Sequence, residues 1–343
     1  MHHLATPGGT LRAAVLERPD VIRVRTTADD AEPADGDALV RVRAVGICGT
    51  DLSIASGKIP VAYPRVLGHE VVGDVVDPSA SGLDVGTPVL VDPGLSCGTC
   101  TQCREGRTNI CTRGGLLGRD ADGGLRELLR VPATHLHALA ASVDAATAPM
   151  VQVLATCVHA ERLLRLAPGE TVAVIGLGVT GLLHVQLAKL QGARVVGITR
   201  SAEKRSLAEA LGTDRTFAAD GDEVAAVGRE VGEIDVVIEC AGLVPTLARA
   251  VEIARVGGRI LAYGTIGHGA EGSLPYYDLY YKELAIIGAR SATPEDFATS
   301  IDLVAAGRVH LEPLVSERFP LDDVADAFRA ASSPGALKIL VDV

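Results

Sequence analysis

The sequence predicts an α/β protein of two domains, one β-rich and one built on a doubly wound parallel sheet. Its 343 residues exceed what one ordinary core holds. Residues 11–150 read as short strands separated by frequent turns, and from Thr171 onward strand and helix patterns alternate. In the first stretch Leu39–Val45 alternates apolar and charged residues, as a half-buried strand does. Glu70–Val76 and Pro88–Val91 continue the β character between Asp-Pro, Pro-Gly and Ser-Gly turn signals. The pattern turns helical over Val151–Leu166 and stops at Ala167-Pro168-Gly169-Glu170. Thr171–Ile175 then reads as a buried strand, Gly181–Leu190 as a helix, Arg194–Ile198 as a strand and Ala202–Leu211 as a helix. Further strands are expected at Ile234–Glu239, Arg259–Tyr263 and Ala285–Gly288. A helix at Pro294–Ala306 and a last strand at Lys338–Val343 complete the chain.

Composition excludes several classes of function. The chain is 48% hydrophobic but only 3% aromatic, without Trp, so aliphatic side chains fill the core. Forty-three acidic residues against 32 basic ones give a net charge of −11, which repels nucleic-acid backbones and anionic membranes. No apolar run approaches the ~20 residues that span a bilayer. The start lacks the charged-then-apolar order of a signal peptide, and the paired histidines at 2 and 3 read as a disordered tip. Seven cysteines without such a signal point to a reducing, cytoplasmic setting. Cys157 and Cys240 read as small buried hydrophobes.

Gly176-Leu177-Gly178-Val179-Thr180-Gly181 follows a strand and opens a helix, the context that turns a weak glycine motif into a dinucleotide-binding (Rossmann) signature. Gly176 permits the tight turn, Gly178 lets the backbone approach a pyrophosphate, and Gly181 lets the helix pack on the sheet. Val179 and Thr180 sit where the helix N-terminus offers free N–H groups to phosphate. The second strand ends in Thr199-Arg200-Ser201, with Lys204 and Arg205 one turn on, and no carboxylate occupies the ribose-binding slot. Hydroxyls and guanidinium groups suit a 2′-phosphate. NADP is therefore favoured over NAD, the alternative being a solvated Arg200 in a site open to either.

Cys97, Cys100, Cys103 and Cys111 form a C-x2-C-x2-C-x7-C lobe within residues 94–113. Four thiolates so spaced can converge on one Zn2+ with no position left for substrate, a structural site. An iron–sulfur cluster or paired disulfides would use the same residues. A second constellation is Cys48 in Gly-Ile-Cys-Gly-Thr-Asp and His69 in Gly-His-Glu, one thiolate and one imidazole of an open zinc site.

In this order of motifs the chain resembles the zinc-dependent medium-chain alcohol dehydrogenases over nearly its full length, nearest their polyol, threonine and sugar branch. The resemblance implies a GroES-like catalytic domain at 1–151 and 289–343, with a Rossmann domain at 152–288 between them. It implies two zinc ions per chain and reversible, NAD(P)-linked oxidation of an alcohol to a carbonyl, with hydride leaving a zinc-stabilised alkoxide for the nicotinamide. Gln152 falls at the position of the third zinc ligand, where relatives carry Cys or Glu, and Cys157 is not favoured as a ligand. Glu70 stands as either a fourth ligand or a carboxylate behind the metal. A neutral amide ligand leaves the metal more positive and a stronger Lewis acid. Thr156 matches the threonine that contacts the nicotinamide. Thr50 matches the proton-relay hydroxyl, Ser53 stands where relatives carry the relay histidine, and Asp51 accepts the second ring N–H of His69.

The expected substrate is a small alcohol or its carbonyl, with polyols and sugars preferred. Tyr276, Tyr277, Tyr280 and Tyr281 form the one aromatic cluster, at least two of them expected in the core. The family implies a homodimer or homotetramer. The competing readings are a carbonyl reductase of a specialised biosynthetic pathway and a non-catalytic NADP(H)-binding protein.

Overall fold

In the computed structural model residues 10–28, 36–267 and 269–343 are described, so His2 and His3 lie outside them. The chain divides into two compact units, residues 1–153 with 292–343, and residues 154–291. Gln152 groups with the first unit, whereas the sequence reading put it in the second. The reason is that the break falls inside a continuous helix.

The first unit opens with β1 (Thr10–Arg18), β2 (Val21–Ala28) and β3 (Asp37–Ile47), then α1 (Gly49–Ala55), β4 (Arg65–Val66), β5 (Glu70–Asp77) and β6 (Pro88–Val91). The cysteine lobe follows: β7 (Gly94–Leu95), α2 (Thr101–Arg104) and β8 (Gly115–Leu116). β9 (Leu128–Pro132), β10 (Leu136–Ala138) and α3 (Met150–Leu164) lead to the break. After the second unit come α9, β17, α10 and β18, at Pro294–Ala305, Val315–Pro320, Val324–Ala331 and Lys338–Asp342. A seven-stranded sheet runs β10-β6-β5-β3-β18-β17, with β9 also on β3. β3 pairs antiparallel with β5 and with β18, in the registers Gly46↔Glu70 and Ile339↔Ile47. The C-terminal end of β3 and the N-terminal starts of β5 and β18 therefore meet at one end of the sheet. Valines and leucines of β3, β5, β6, β9 and β18, all but excluded from solvent, form the core beneath.

The second unit alternates β11 (Thr171–Ile175), α4 (Val179–Leu190), β12 (Arg194–Thr199), α5 (Ala202–Ala210), β13 (Arg215–Ala218) and α6 (Glu223–Glu230). It continues with β14 (Ile234–Glu239), α7 (Val244–Ile253), β15 (Ala254–Ala262), α8 (Tyr276–Tyr281) and β16 (Ala285–Gly288). All six strands are parallel in the order β13-β12-β11-β14-β15-β16. The chain reverses direction across the sheet at β11, whose neighbours are β12 and β14, and ligands of such sheets bind beyond the strand C-termini there. α4 is buried on nearly all sides, which its apolar run dictates.

Two expectations are corrected. The helix after the glycine loop starts at Val179, not Gly181, because Gly178 is its N-cap. None of the four tyrosines enters the core: Tyr276, Tyr277, Tyr280 and Tyr281 are 71%, 72%, 79% and 66% exposed. α8 is a six-residue helix whose single aliphatic residue, Leu279, makes the inward contact, leaving the rings outside.

Candidate metal centre and nucleotide site

Cys48 follows β3 and is the N-cap of α1, while His69 and Glu70 sit at the start of β5. The antiparallel register thus brings a thiol, an imidazole and a carboxylate together, with ligand atoms within 4.8 Å of one another. Glycines make the room. A Cβ at Gly46 would stand 1.9 Å from Glu70 Oε2, and one at Gly68 (φ +96°) would meet Val45 Cγ1 at 2.7 Å. Asp51, buried in the first turn of α1, ties the parts: Oδ2 accepts from Cys48 N at 2.9 Å and Oδ1 from Gly68 N at 3.2 Å. Asp51 Oδ1 also lies 3.4 Å from His69 Nδ1, which leaves Nε2 as the ring's ligand atom.

Burial alone would raise the Asp51 pKa, but His69 and the two N–H groups outweigh it and leave the carboxyl below its ordinary range. Burial disfavours a charged His69 ring, yet Asp51 and Cys48 hold its pKa well above the ordinary value. A soft thiolate, an imidazole fixed by a carboxylate and a hard oxygen donor form a set that fits Zn2+.

One residue that the sequence reading passed over completes the centre. Lys338, first residue of β18, places Nζ 2.6 and 2.7 Å from the two oxygens of Glu70 and 3.1 Å from the Ile47 carbonyl, all buried. Burial would lower its pKa; Glu70 and Cys48 raise it instead. A lone lysine leading the apolar run Ile-Leu-Val was the available signal. Gln152 is buried as the third residue of α3. Thr50 and Ser53 lie on α1, both half-buried.

In the lobe, Cys97, Cys100, Cys103 and Cys111 also converge within 4.8 Å. Backbone N–H groups of Thr99 and Cys100 lower the Cys97 thiol to about 5, whereas burial pushes Cys103 up to about 11. Arg113 Nη2 stands 3.4 Å from Cys97 Sγ. Four thiols around one point can hold a tetrahedral metal.

In the second unit, Gly176 holds φ +91°, and a Cβ at Gly181 would sit 2.0 Å from the Gly176 carbonyl oxygen. Gly178 faces open space, a cradle where a pyrophosphate can approach the first turn of α4, with Val179 and Thr180 at its N-terminus. At the end of β12, Arg205 Nη1 donates to the carbonyls of Thr199 (3.0 Å) and Arg200 (3.1 Å). Ser201 caps α5 by accepting from Lys204 N at 3.2 Å, and the Arg200 side chain is exposed. Thr156 Oγ1 pairs with Tyr263 Oη at 2.6 Å, a contact between residues 107 positions apart.

Comparison with known proteins gives the family of the chain. The family model for the alcohol dehydrogenase GroES-like domain matches residues 34–141, and that for zinc-binding dehydrogenases matches 178–306. The chain is 33% identical over 317 residues to 2-dehydro-3-deoxy-L-galactonate 5-dehydrogenase of Pseudoalteromonas atlantica, covering 90% of this chain and 92% of that protein. The chain belongs to the zinc-dependent medium-chain alcohol dehydrogenases. Its reaction is zinc-dependent, pyridine-nucleotide-linked oxidation of an alcohol. It is also 34% identical to L-galactonate-5-dehydrogenase of Escherichia coli, covering 86% of this chain and 88% of that one. A Sinorhizobium meliloti protein solved bound to NADP superposes with a TM-score of 0.91 at 35% identity, covering 98% of this dehydrogenase and all of that chain.

Two outcomes follow from the metal centre. Replacing Lys338 with Met strands the Glu70 carboxylate in the core and should cost about 3–5 kcal/mol in urea unfolding of the zinc-free protein; a loss below ~1 kcal/mol would contradict the ion-pair account. Because His69 is held protonated without metal, binding must displace that proton. Zinc affinity, measured by chelator competition, should therefore rise as pH increases from about 6 to 9, and a flat profile would count against His69 as a ligand.

Proposed function

We propose that this dehydrogenase oxidises a secondary hydroxyl of a polyol, sugar or sugar acid, with NADP preferred as acceptor. The observation that carries the reading is the convergence of Cys48, His69 and Glu70, with Asp51 tied to the first two; Cys48 and His69 are assigned as zinc ligands, Gln152 as the third, and Glu70 as the carboxylate beside them. Bound Zn2+ supplies the Lewis acidity that favours loss of the alcohol proton, and bound nicotinamide accepts the hydride. Asp51 keeps the His69 ring oriented. Thr50 Oγ1 takes the proton leaving the substrate, and Ser53, about one turn later, passes it to water. Thr156 contacts the nicotinamide, and the loop of Gly176, Gly178, Val179, Thr180 and Gly181 holds the pyrophosphate. Thr199, Arg200, Ser201 and Arg205 receive the adenosine 2′-phosphate, with no carboxylate to repel it. Two relatives that act on galactonate-type substrates support the substrate class, and an NADP-bound neighbour supports the acceptor.

A second zinc ion is assigned to Cys97, Cys100, Cys103 and Cys111. A homo-oligomer is assigned through the open edge of the parallel sheet: among the described residues β16 pairs only with β15, and its Ile286 is exposed.

The deciding experiment follows absorbance at 340 nm with NADP+ and NAD+ over simple alcohols, vicinal diols, sugars, aldonic acids and amino alcohols. Turnover concentrated on polyols, sugars or aldonates, with kcat/KM at least about tenfold higher for NADP+, is expected, since 1.4 kcal/mol of charge-assisted pairing gives that ratio. Preference for simple alcohols would overturn the substrate class, and equal use of both cofactors the acceptor. Cys111→Ser should lower zinc, by mass spectrometry of the metal, from two ions per chain to one; two retained ions would remove the lobe from the metal sites.

A further inference from the structure

Glu239, the last residue of β14, carries a completely buried carboxyl group that the reaction described above does not use. The register sets Glu239 beside Ile175 of β11 and Ala262 of β15, so it lies between the ends of both strands. Its Oε1 accepts the N–H of Ala241 at 2.8 Å and of Gly242 at 2.9 Å, and Thr246 Oγ1 lies 2.8 Å from it. The N–H of Leu243 also faces the carboxyl group. The Glu239 carbonyl accepts from Tyr263 N at 3.0 Å and Gly264 N at 2.7 Å, the first two residues past β15.

One glutamate therefore ties down the turns that leave β14 and β15, and these turns abut each other and the glycine loop past β11. A Cβ at Gly264 would stand 2.2 Å from Gly242 N, and one at Gly176 would stand 2.9 Å from Ala241 N. The order of the strands decides what such a platform can carry. A pyrophosphate held by residues 176–181 sits at the end of β11, and the adenosine assigned to the end of β12 lies to one side of it. The rest of a dinucleotide must then extend to the other side, over the ends of β14 and β15. Ala241 and Leu243 in the β14 turn are exposed.

We propose that Glu239 is a positioning residue for the nicotinamide-nucleotide half of the cofactor, its acceptor oxygen fixing the turn of residues 240–243 that carries this half. The proposal rests on the pyrophosphate and adenosine assignments made above. A carboxyl group enclosed here costs desolvation that an aliphatic side chain would avoid. What it supplies in exchange is an acceptor for two successive N–H groups of the turn.

Two replacements separate reach from charge. Glu239→Gln keeps an acceptor at the same reach without the charge, whereas Glu239→Asp keeps the charge and draws the acceptor back by one methylene. Each is titrated calorimetrically with reduced NADP and with 2′,5′-ADP, which lacks the nicotinamide nucleotide. Reduced NAD and 5′-AMP replace them if the wild type prefers NAD. Glu239→Asp should bind the dinucleotide about tenfold more weakly, because roughly one backbone residue left loose in the empty protein must be ordered on binding. It should bind the adenosine fragment like the wild type, and Glu239→Gln should match the wild type with both probes. Gly264→Ala pushes the same turn with Glu239 intact and should repeat the Asp pattern, which covers a Glu239→Asp chain that does not fold. Wild-type affinity for the dinucleotide in either variant overturns the proposal. An equal loss of the adenosine fragment overturns it too, since Glu239 would then serve the whole site. Glu239→Gln as weak as Glu239→Asp does the same, since charge would then be the requirement. A wild-type chain that binds neither probe removes the dinucleotide assignment, and the proposal with it.

Discussion

The metal centre depends on the Asp51 carboxylate, which one turn of helix presents to three groups from two segments of chain. It accepts the N–H of Cys48 at the start of α1 and the N–H of Gly68 before β5, and it faces the ring nitrogen of His69. A carboxylate that is almost completely enclosed would be expelled or protonated without such partners. With them it stays ionised, and in staying ionised it fixes the thiol and the imidazole relative to each other. The short helix α1 exists for the same reason: seven residues are marginal alone, and the Asp51–Cys48 bond closes its first turn.

The sheet extends this arrangement by register. β3 ends, and β5 and β18 begin, at the same edge of the sheet, so Cys48, Glu70 and Lys338 converge from positions far apart in the chain. The buried groups then nearly balance in charge. Glu70 and Lys338 neutralise each other as an ion pair, and the Asp51 carboxylate remains beside the Cys48 sulfur. The surplus negative charge in the metal-free centre is what draws a proton onto His69 against the cost of burial. A divalent cation on the proposed ligands neutralises the same surplus with His69 neutral.

The legible parts of this fold are those written in contiguous residues. The strand–glycine loop–helix of 171–190 and the cysteine lobe announce themselves because each is a local device whose chemistry depends on short spacing. The metal pair was readable for the same reason, Cys48 lying between Gly46 and Gly49 and His69 directly following Gly68. Lys338 was not, because its partner Glu70 is 268 positions away and only the register of β3 brings them together. The Thr156–Tyr263 contact was hidden likewise, with 107 positions between its members. The tyrosines of α8 were misread because aromatic residues in a cluster suggest burial, while a single Leu279 satisfies the apolar face of so short a helix.

Lys338 also bears on which groups reach the metal. The sequence left Glu70 between ligand and supporting carboxylate. Both of its oxygens lie on Lys338, and Gly46 leaves the space that the carboxylate occupies. To turn toward the metal, Glu70 would have to give up a bidentate, fully buried ion pair, leaving an ammonium group with the Ile47 carbonyl as its remaining acceptor. The geometry therefore favours a carboxylate that balances Lys338 over one that donates to zinc. On the proposed assignment, the ligands are then one thiolate, one imidazole and the neutral amide of Gln152. With Glu70 already neutralised, a zinc ion held by these residues would keep more of its positive charge and would be a stronger Lewis acid toward a hydroxyl. A weaker protein ligand and a clamped carboxylate work in the same direction, making the alcohol proton easier to remove.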